Sequence, residues 1–335
     1  MSGTDAAVLE GVRAIVDDAL EISVVGSFSR LGPAVRRRLY RWTAPQAGAL
    51  AGRTALVTGP TSGLGRDVTR QLAGLGARVV LAGRSEERLA QLRDELALVH
   101  GEDRFPIAVV DMGSLASVRV VVERILSTES RLDVVVDNAG AIYPERTEGP
   151  EGIEATLTLL AVAPFLLVSE LLPLLRKTPG SRVIAVTSGG MYAQRLDLED
   201  LQYRTGVYDG RRAYARAKRA QVALMREWAR RLIASGVAFT AMHPGWADTP
   251  GLAASLPAFH RVMGPLLRTP AEGIDTITWL ATHARPRDVT GRLYLDRRQR
   301  PFDRVPATRL TAGDRRRLWD LVVGLSGAVD PAPSR

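Results

Sequence analysis

Tyr214-Ala215-Arg216-Ala217-Lys218 sets a phenol and an ammonium four residues apart. On a helix that spacing puts both groups on one face. A nearby ammonium stabilises tyrosinate and draws the phenol below its ordinary pKa of about 10. Such a tyrosine can exchange a proton with an alcohol or carbonyl oxygen. The plainer alternative is a buried helix aromatic beside a cation. Among 45 cationic residues only Lys177 and Lys218 are lysines, so this position keeps an ammonium where arginine is used almost everywhere else.

A second constellation lies far upstream. Thr58-Gly59-Pro60-Thr61-Ser62-Gly63-Leu64-Gly65 joins a short apolar run to a helix-like stretch. Glycines let backbone N–H groups approach a pyrophosphate with no Cβ in the way, and the helix N-terminus adds a partial positive charge. The next apolar run ends in Leu81-Ala82-Gly83-Arg84-Ser85. An acidic residue there would accept hydrogen bonds from both ribose hydroxyls and repel a 2′-phosphate. Arg84 instead favours that phosphate, so NADP(H) is expected rather than NAD(H). One charge-assisted hydrogen bond is worth about 1.5–3 kcal/mol, roughly a ten- to hundredfold preference. The competing reading of Arg84 is a solvated surface charge.

These residues need a frame that aims them at one place. Short apolar runs at 55–57, 78–82, 107–110, 132–136, 182–186 and 238–242 read as strands. Helical patterns fall between them, at 67–74, 86–99, 115–126, 153–175 and 214–234. Alternating strands and helices imply an α/β fold of Rossmann type: a doubly wound parallel sheet covered on both faces. One such domain is expected over 51–295, with an N-terminal helical and basic extension over 1–50 and an Arg-rich C-terminal extension over 296–335. A last helix is expected near 314–325.

Composition narrows the function classes. The 335 residues are 46% hydrophobic and 24% charged, ordinary for a globular chain. The absence of cysteine excludes disulfides, a thiolate nucleophile and a Cys-ligated zinc site. Four histidines at unrelated spacing offer no metal-ligand pattern, and no metal is expected. Acidic residues in the first twenty positions do not suit a secretory signal. The apolar stretch 156–175 is interrupted by Pro164, Glu170 and Pro173, which argues against a membrane span. A cytoplasmic location is expected. The net charge of +9 fits an arginine-biased composition, and nucleic acid is not an expected partner. Arginines and aromatics mix over 28–42. That mix suits either weak peripheral contact with an anionic membrane or, more plainly, a basic helix packed on the main domain.

In their order and spacing these motifs resemble the short-chain dehydrogenase/reductase family in its NADP-preferring form, over about residues 51–295. Longer stretches, Ser188-Gly189-Gly190-Met191 and Met242-His243-Pro244-Gly245-Trp246-Ala247-Asp248-Thr249-Pro250-Gly251, resemble the branch called dehydrogenase/reductase family member twelve, itself similar to retinol-dehydrogenase-like reductases. The resemblance implies a catalytic trio of Ser188, Tyr214 and Lys218. Tyr214 would be the proton donor in reduction and the base in oxidation, Ser188 would hydrogen-bond the substrate oxygen, and Lys218 would lower the phenol pKa and bind the nicotinamide ribose. It also implies a cofactor site of Thr58, Gly59, Ser62, Gly63, Leu64, Gly65 and Arg84. Asp111 and Met112 would meet the adenine, and Asn138, Ala139 and Gly140 would follow the fourth strand. Tyr214, Lys218, Pro244, Gly245 and Thr249 would hold the nicotinamide end.

The chain departs from that family at two positions. Leu160 stands where the family carries a helix asparagine that helps hold a water in the proton relay behind the lysine, and a leucine cannot bond that water. Asp137 replaces the first asparagine of the Asn-Asn-Ala-Gly segment. Either protons reach Lys218 by another route or the protein is slow, so an NADP(H)-binding scaffold or sensor stands as the alternative function. The substrate walls are expected at 191–209 and in a lid over 246–267. Their apolar and aromatic content suits a lipophilic aldehyde, ketone or alcohol. The resemblance leaves room for a homodimer through the long helix and the Tyr214 helix.

Overall fold

The computed structural model describes residues 3–332, with side chains from Glu10 onward; positions 1–2 and 333–335 of the two extensions lie outside the described residues. Three helices come first: α1 (Gly3–Ile22), α2 (Val24–Phe28) and α3 (Leu31–Leu39). Strands and helices then alternate through β1 (Thr54–Thr58), α4 (Gly63–Gly74), β2 (Arg78–Gly83), α5 (Glu86–His100), β3 (Ile107–Val109), α6 (Leu115–Thr128) and β4 (Val134–Asp137). The long helix that follows is composite: α7 (Ala155–Leu157), a π turn over Thr158–Val162, and α8 (Ala163–Lys177). After it come β5 (Arg182–Val186), α9 (Gly210–Arg231), β6 (Ala238–Met242), α10 (Pro250–Ser255), α11 (Pro257–Met263), α12 (Pro270–Thr282), β7 (Leu293–Leu295), β8 (Arg298–Arg300) and α13 (Ala312–Ser326).

The strands form one sheet in the order β3-β2-β1-β4-β5-β6-β7-β8, parallel throughout except that β8 pairs antiparallel with β7. Both faces are covered, and the side-chain alternation of each strand divides between two cores. Ala55 and Val57 face α4, α5 and α12, whereas Leu56 faces α6, α8 and α9. This is the doubly wound α/β architecture expected. Two of its strands match the apolar runs end to end, 182–186 and 238–242.

The Arg-rich segment after 295 joins this architecture. β7 and β8 have no counterpart among the strands read from the sequence, because runs of three residues carry too little period to detect. Their connection turns at Asp296 and Arg297 with φ of 53° and 56°. A two-residue hairpin of type I′ needs both values positive, at roughly 1–2 kcal/mol for each non-glycine residue. Buried ion pairs offset that cost. Asp296 accepts from Arg268 at 2.6 and 2.9 Å and from Arg36 at 2.6 Å. The expected division at 295 therefore cuts between β7 and its hairpin partner.

α13 lies across α8 and α9. Its Trp319 is fully buried, edge-on to Phe165 at 4.9 Å and to Trp228 at 4.7 Å between ring centres. The chain's own last helix thus covers part of the two helices through which a homodimer could pair. The run Ala155–Lys177 is long and apolar enough to cross a membrane, and 89% of its apolar window is buried inside the protein.

The N-terminal helices also pack on the main domain. Arg36 is fully buried and donates to Asp17 at 2.6 Å, Glu21 at 2.7 Å and Asp296. Phe28 is buried as well. Of the two readings of 28–42, the packed basic helix is the arrangement seen. Removing one partner of a buried ion pair leaves the others uncompensated and costs about 3–5 kcal/mol. Asp296→Ala is expected to destabilise the protein by that amount in urea unfolding. A loss below about 1 kcal/mol would mean that the two arginines find other partners.

Candidate active site

Chain connections leave β1 and β4 toward opposite sides of the sheet, so a crevice opens between their carboxyl ends. A polar stitch spans it. The backbone N–H groups of Asn138 and Ala139 both donate to the Thr58 hydroxyl at 2.9 Å. The Asn138 side-chain amide donates back to the Thr58 and Gly59 carbonyls at 2.9 and 3.3 Å. The glycine turn rests on this frame. A Cβ at Gly65 would lie 2.0 Å from the Gly59 carbonyl oxygen and 2.5 Å from the Asn138 amide nitrogen, so only glycine fits. Gly63 has φ of +50°. Ser62 caps α4 without a side-chain hydrogen bond, which leaves the first-turn N–H groups with no side-chain acceptor. Such a cradle at a helix N-terminus fits the pyrophosphate of a dinucleotide.

The other expected cofactor residues line the same edge. Arg84 follows β2, is exposed, and makes no ion pair or hydrogen bond among the described residues. Asp111 and Met112 lie just past β3; Asp111 accepts from the Gly113 N–H at 2.8 Å and Met112 is buried. Gly140 follows Asn138 and Ala139 beyond β4. Past β6, Gly245 has φ of +71°, and a Cβ there would collide with the Arg268 guanidinium and the Phe28 carbonyl oxygen. Thr249 caps α10, its hydroxyl accepting from the Leu252 N–H at 3.2 Å. The Thr249 side chain also lies against Gly63, 3.6 Å from a Cβ placed there. Leu64 and Pro244 both approach Gly273 of α12, where an added Cβ would lie 2.9 Å from Leu64 Cδ2 and 3.6 Å from Pro244 Cβ. The structure therefore brings the two ends of the expected cofactor site together.

The expected catalytic trio converges between β5 and α9. Ser188 ends the β5 edge, its hydroxyl accepting from the Gly190 N–H at 3.3 Å. Tyr214 is half-buried on α9 and faces Ser188. Lys218, one turn on, is 2% exposed. Its ammonium donates to the Val186 carbonyl at 2.7 Å and to the Gln221 side-chain oxygen at 3.2 Å. The phenol does not behave as the four-residue spacing suggests. Burial pushes Tyr214 up to about 12, with only the Ser188 hydroxyl pulling it down. Burial also pushes Lys218 down to about 8, against the opposing pull of Asp137. The ammonium is committed to the carbonyl and amide, 5.9 Å from the tyrosine ring centre. Desolvation of the phenol therefore prevails.

The expected substrate walls are partly core. Tyr192, Leu196 and Tyr203 are buried, and the Tyr192 hydroxyl donates to the Pro301 carbonyl at 2.9 Å. α10 and α11 carry no buried residue and form the open side, with Phe259 edge-on to Trp246 at 5.1 Å. His260 pairs with Asp248 at 2.9 Å on the same lid. Two site neighbours escaped the sequence. Gln221 sits three residues past Lys218, a helical spacing that was available as a signal. Phe28 presses its ring on Gly189, beside Ser188, where a Cβ would lie 2.3 Å from it; nothing in the local sequence points across that distance.

The chain is similar to known proteins over most of its length. Residues 53–199 match the family model described as short chain dehydrogenase. The human dehydrogenase/reductase SDR family member 12 is 36% identical over 250 residues, 74% of this chain and 78% of that protein. Mouse retinol dehydrogenase 14 is 33% identical over 82% of this chain and 86% of its own length. Among solved structures, a short chain dehydrogenase from Salmonella enterica serovar Typhi superposes with a TM-score of 0.62 at 27% identity, covering 75% of this chain and 98% of that one. The Pseudomonas aeruginosa RhlG/NADP active-site complex superposes at 0.61 with 25% identity, covering 75% and 96%.

The stitch across the crevice is open to direct measurement. Thr58→Val removes the acceptor of two partly buried N–H groups while keeping the side-chain shape. It is expected to cost about 1–3 kcal/mol in chemical denaturation. An unchanged unfolding midpoint would mean that the backbone holds the crevice without the hydroxyl.

Proposed function

Because the chain belongs to the short-chain dehydrogenase/reductase family, we propose that it is an NADP(H)-dependent oxidoreductase that interconverts a lipophilic carbonyl compound and its alcohol. The observation that carries this reading is the convergence of Ser188, Tyr214 and Lys218 at the crevice edge whose other wall is the glycine cradle.

In this reading the cradle from Thr58 to Gly65 holds the pyrophosphate. Arg84, unpaired at the end of β2, meets the 2′-phosphate, and Ser85 opens α5 beside it with its helix N-terminus. Asp111 and Met112 flank the adenine. Asn138, Ala139 and Gly140 form the floor, and Pro244, Gly245 and Thr249 the nicotinamide end. Nicotinamide, when bound, donates or accepts the hydride. Tyr214 gives its hydroxyl proton to the carbonyl oxygen in reduction and takes a proton from the alcohol in oxidation. Ser188 donates a hydrogen bond to the same oxygen. Lys218 presents an ammonium to the nicotinamide ribose. A phenol pushed up to about 12 is protonated at neutral pH, the form that reduction needs. Oxidation needs tyrosinate and is expected to gain with rising pH.

The apolar faces of α10 and α11 and the similarity to a protein named retinol dehydrogenase 14 support the lipophilic substrate. The same cradle without turnover, an NADP(H) sensor, is favoured only by the two departures from the family pattern, Leu160 at the relay position and Asp137.

Titration by nicotinamide fluorescence is expected to show NADPH binding well ahead of NADH. Arg84→Ala is expected to lose about ten- to hundredfold in NADPH affinity with little change for NADH. Equal losses for both would remove Arg84 from the phosphate. With a screened aldehyde or ketone, Tyr214→Phe is expected to abolish turnover and leave NADPH binding within about twofold. Substantial residual turnover would assign the proton to another group.

A further inference from the structure

The lysine of this site is buried together with a carboxylate that the sequence treats only as a departure from pattern. Asp137, Gln221 and Lys218 are 1%, 2% and 2% exposed. The Gln221 amide nitrogen donates to Asp137 Oδ2 at 2.6 Å, while its oxygen accepts from Lys218 Nζ at 3.2 Å. A side-chain amide has one accepting and one donating end, and here each end faces the charge that it can satisfy. The asparagine expected behind the lysine is replaced by Leu160. A Cβ placed at Gly140 would meet Leu160 Cδ2 at 3.3 Å and Lys218 Nζ at 4.0 Å, so the Leu160 methyl and the ammonium both approach Gly140.

Resting on the placement of Lys218 in the active site, we propose that Asp137 is the positioning residue that holds Lys218 as an ammonium, with Gln221 as the rigid link between them. The other groups placed at Lys218 are neutral: the Val186 carbonyl from β5, and the Gln221 amide and Tyr214 ring on α9 itself. Asp137 is the charge that acts on Lys218. In return, Lys218 and the Gln221 amide oppose the burial that pushes Asp137 up to about 6. Near neutral pH both groups are charged, and each keeps the other so. Replacing the carboxylate by an amide of the same shape keeps the packing and removes that support, which favours the neutral amine.

The two-lysine composition makes the test direct. Full-length protein labelled at the lysine ε-carbon gives two resonances, and exposed Lys177 serves as internal control. In a pH titration without cofactor or substrate, the Lys218 midpoint is expected near 8 in the wild type. It is expected to fall by about one pH unit or more in Asp137→Asn, with Lys177 unmoved. Gln221→Leu is expected to shift it the same way, and it carries the test if Asp137→Asn does not fold. Leu160→Asn, which adds no charge, is expected to leave the midpoint within about a few tenths of a unit. A Lys218 midpoint equal in wild type and Asp137→Asn overturns the proposal. The readout is independent of turnover: a shifted lysine in a protein without activity defeats the enzyme reading and keeps the pair, and the reverse result keeps the enzyme and defeats the pair.

Discussion

The Thr58 hydroxyl, accepting two N–H groups from the loop after β4, is the contact on which the rest of the site depends. Parallel strands end with their backbone groups aimed at one edge, and at the switch between β1 and β4 no connection crosses to cover them. The hydroxyl and the Asn138 amide satisfy those groups from both sides. They hold Gly65 so close to the Gly59 carbonyl that it could carry no side chain, and Gly59 itself has φ of +66°. Thr249 and Pro244 reach it from β6, across Gly63 and Gly273.

Burial of charge is the second theme. The chain carries a net charge of +9, yet Arg36, Arg182, Arg219, Arg268 and Arg300 are buried. Arg36, Arg268 and Arg300 gather around Asp17 and Asp296, and Arg182 donates to the Leu280 and His283 carbonyls at 2.8 Å. Guanidinium groups suit this use because their fixed fork can satisfy several acceptors at once. The same cluster shapes the back of the nicotinamide segment. Arg268 donates to the Phe28 carbonyl at 2.9 Å and packs where a Gly245 Cβ would be. It also helps keep the fully buried His243 neutral, together with the loss of solvent around the ring. The N-terminal helices are thus part of the wall behind the site, and Phe28 on Gly189 carries that wall to the residue next to Ser188.

Much of the frame was legible in one dimension. The runs 182–186 and 238–242 read as strands to the residue, because a strand buried on both faces is apolar throughout. The glycine turn, Arg84, Tyr214 and Lys218 were placed by type and spacing and Ser188 by the family resemblance, and the fold assembles them at one edge. β7 and β8 were not legible, being three residues each and arginine-bearing. The packing of α13 on α8 and α9 was not legible either, since a terminal amphipathic helix does not announce which face it will cover. The tyrosine shows the limit most sharply: four-residue spacing sets Tyr214 and Lys218 on one face, but the ammonium turns to the Val186 carbonyl.

Residue types and their periods alone determined the doubly wound sheet, the glycine turn and the Tyr214–Lys218 pair, since each rests on local pattern: apolar runs, glycines at a turn, one helical turn between two side chains. Tertiary structure alone decided which charges meet. Asp137 and Gln221 lie 84 residues apart, and Arg36 and Asp296 lie 260 apart. Whether a buried charge is paired, and so what its pKa is and what it can do, depends on distance through space and on the exclusion of water. Neither quantity is written in the spacing of residues along a chain.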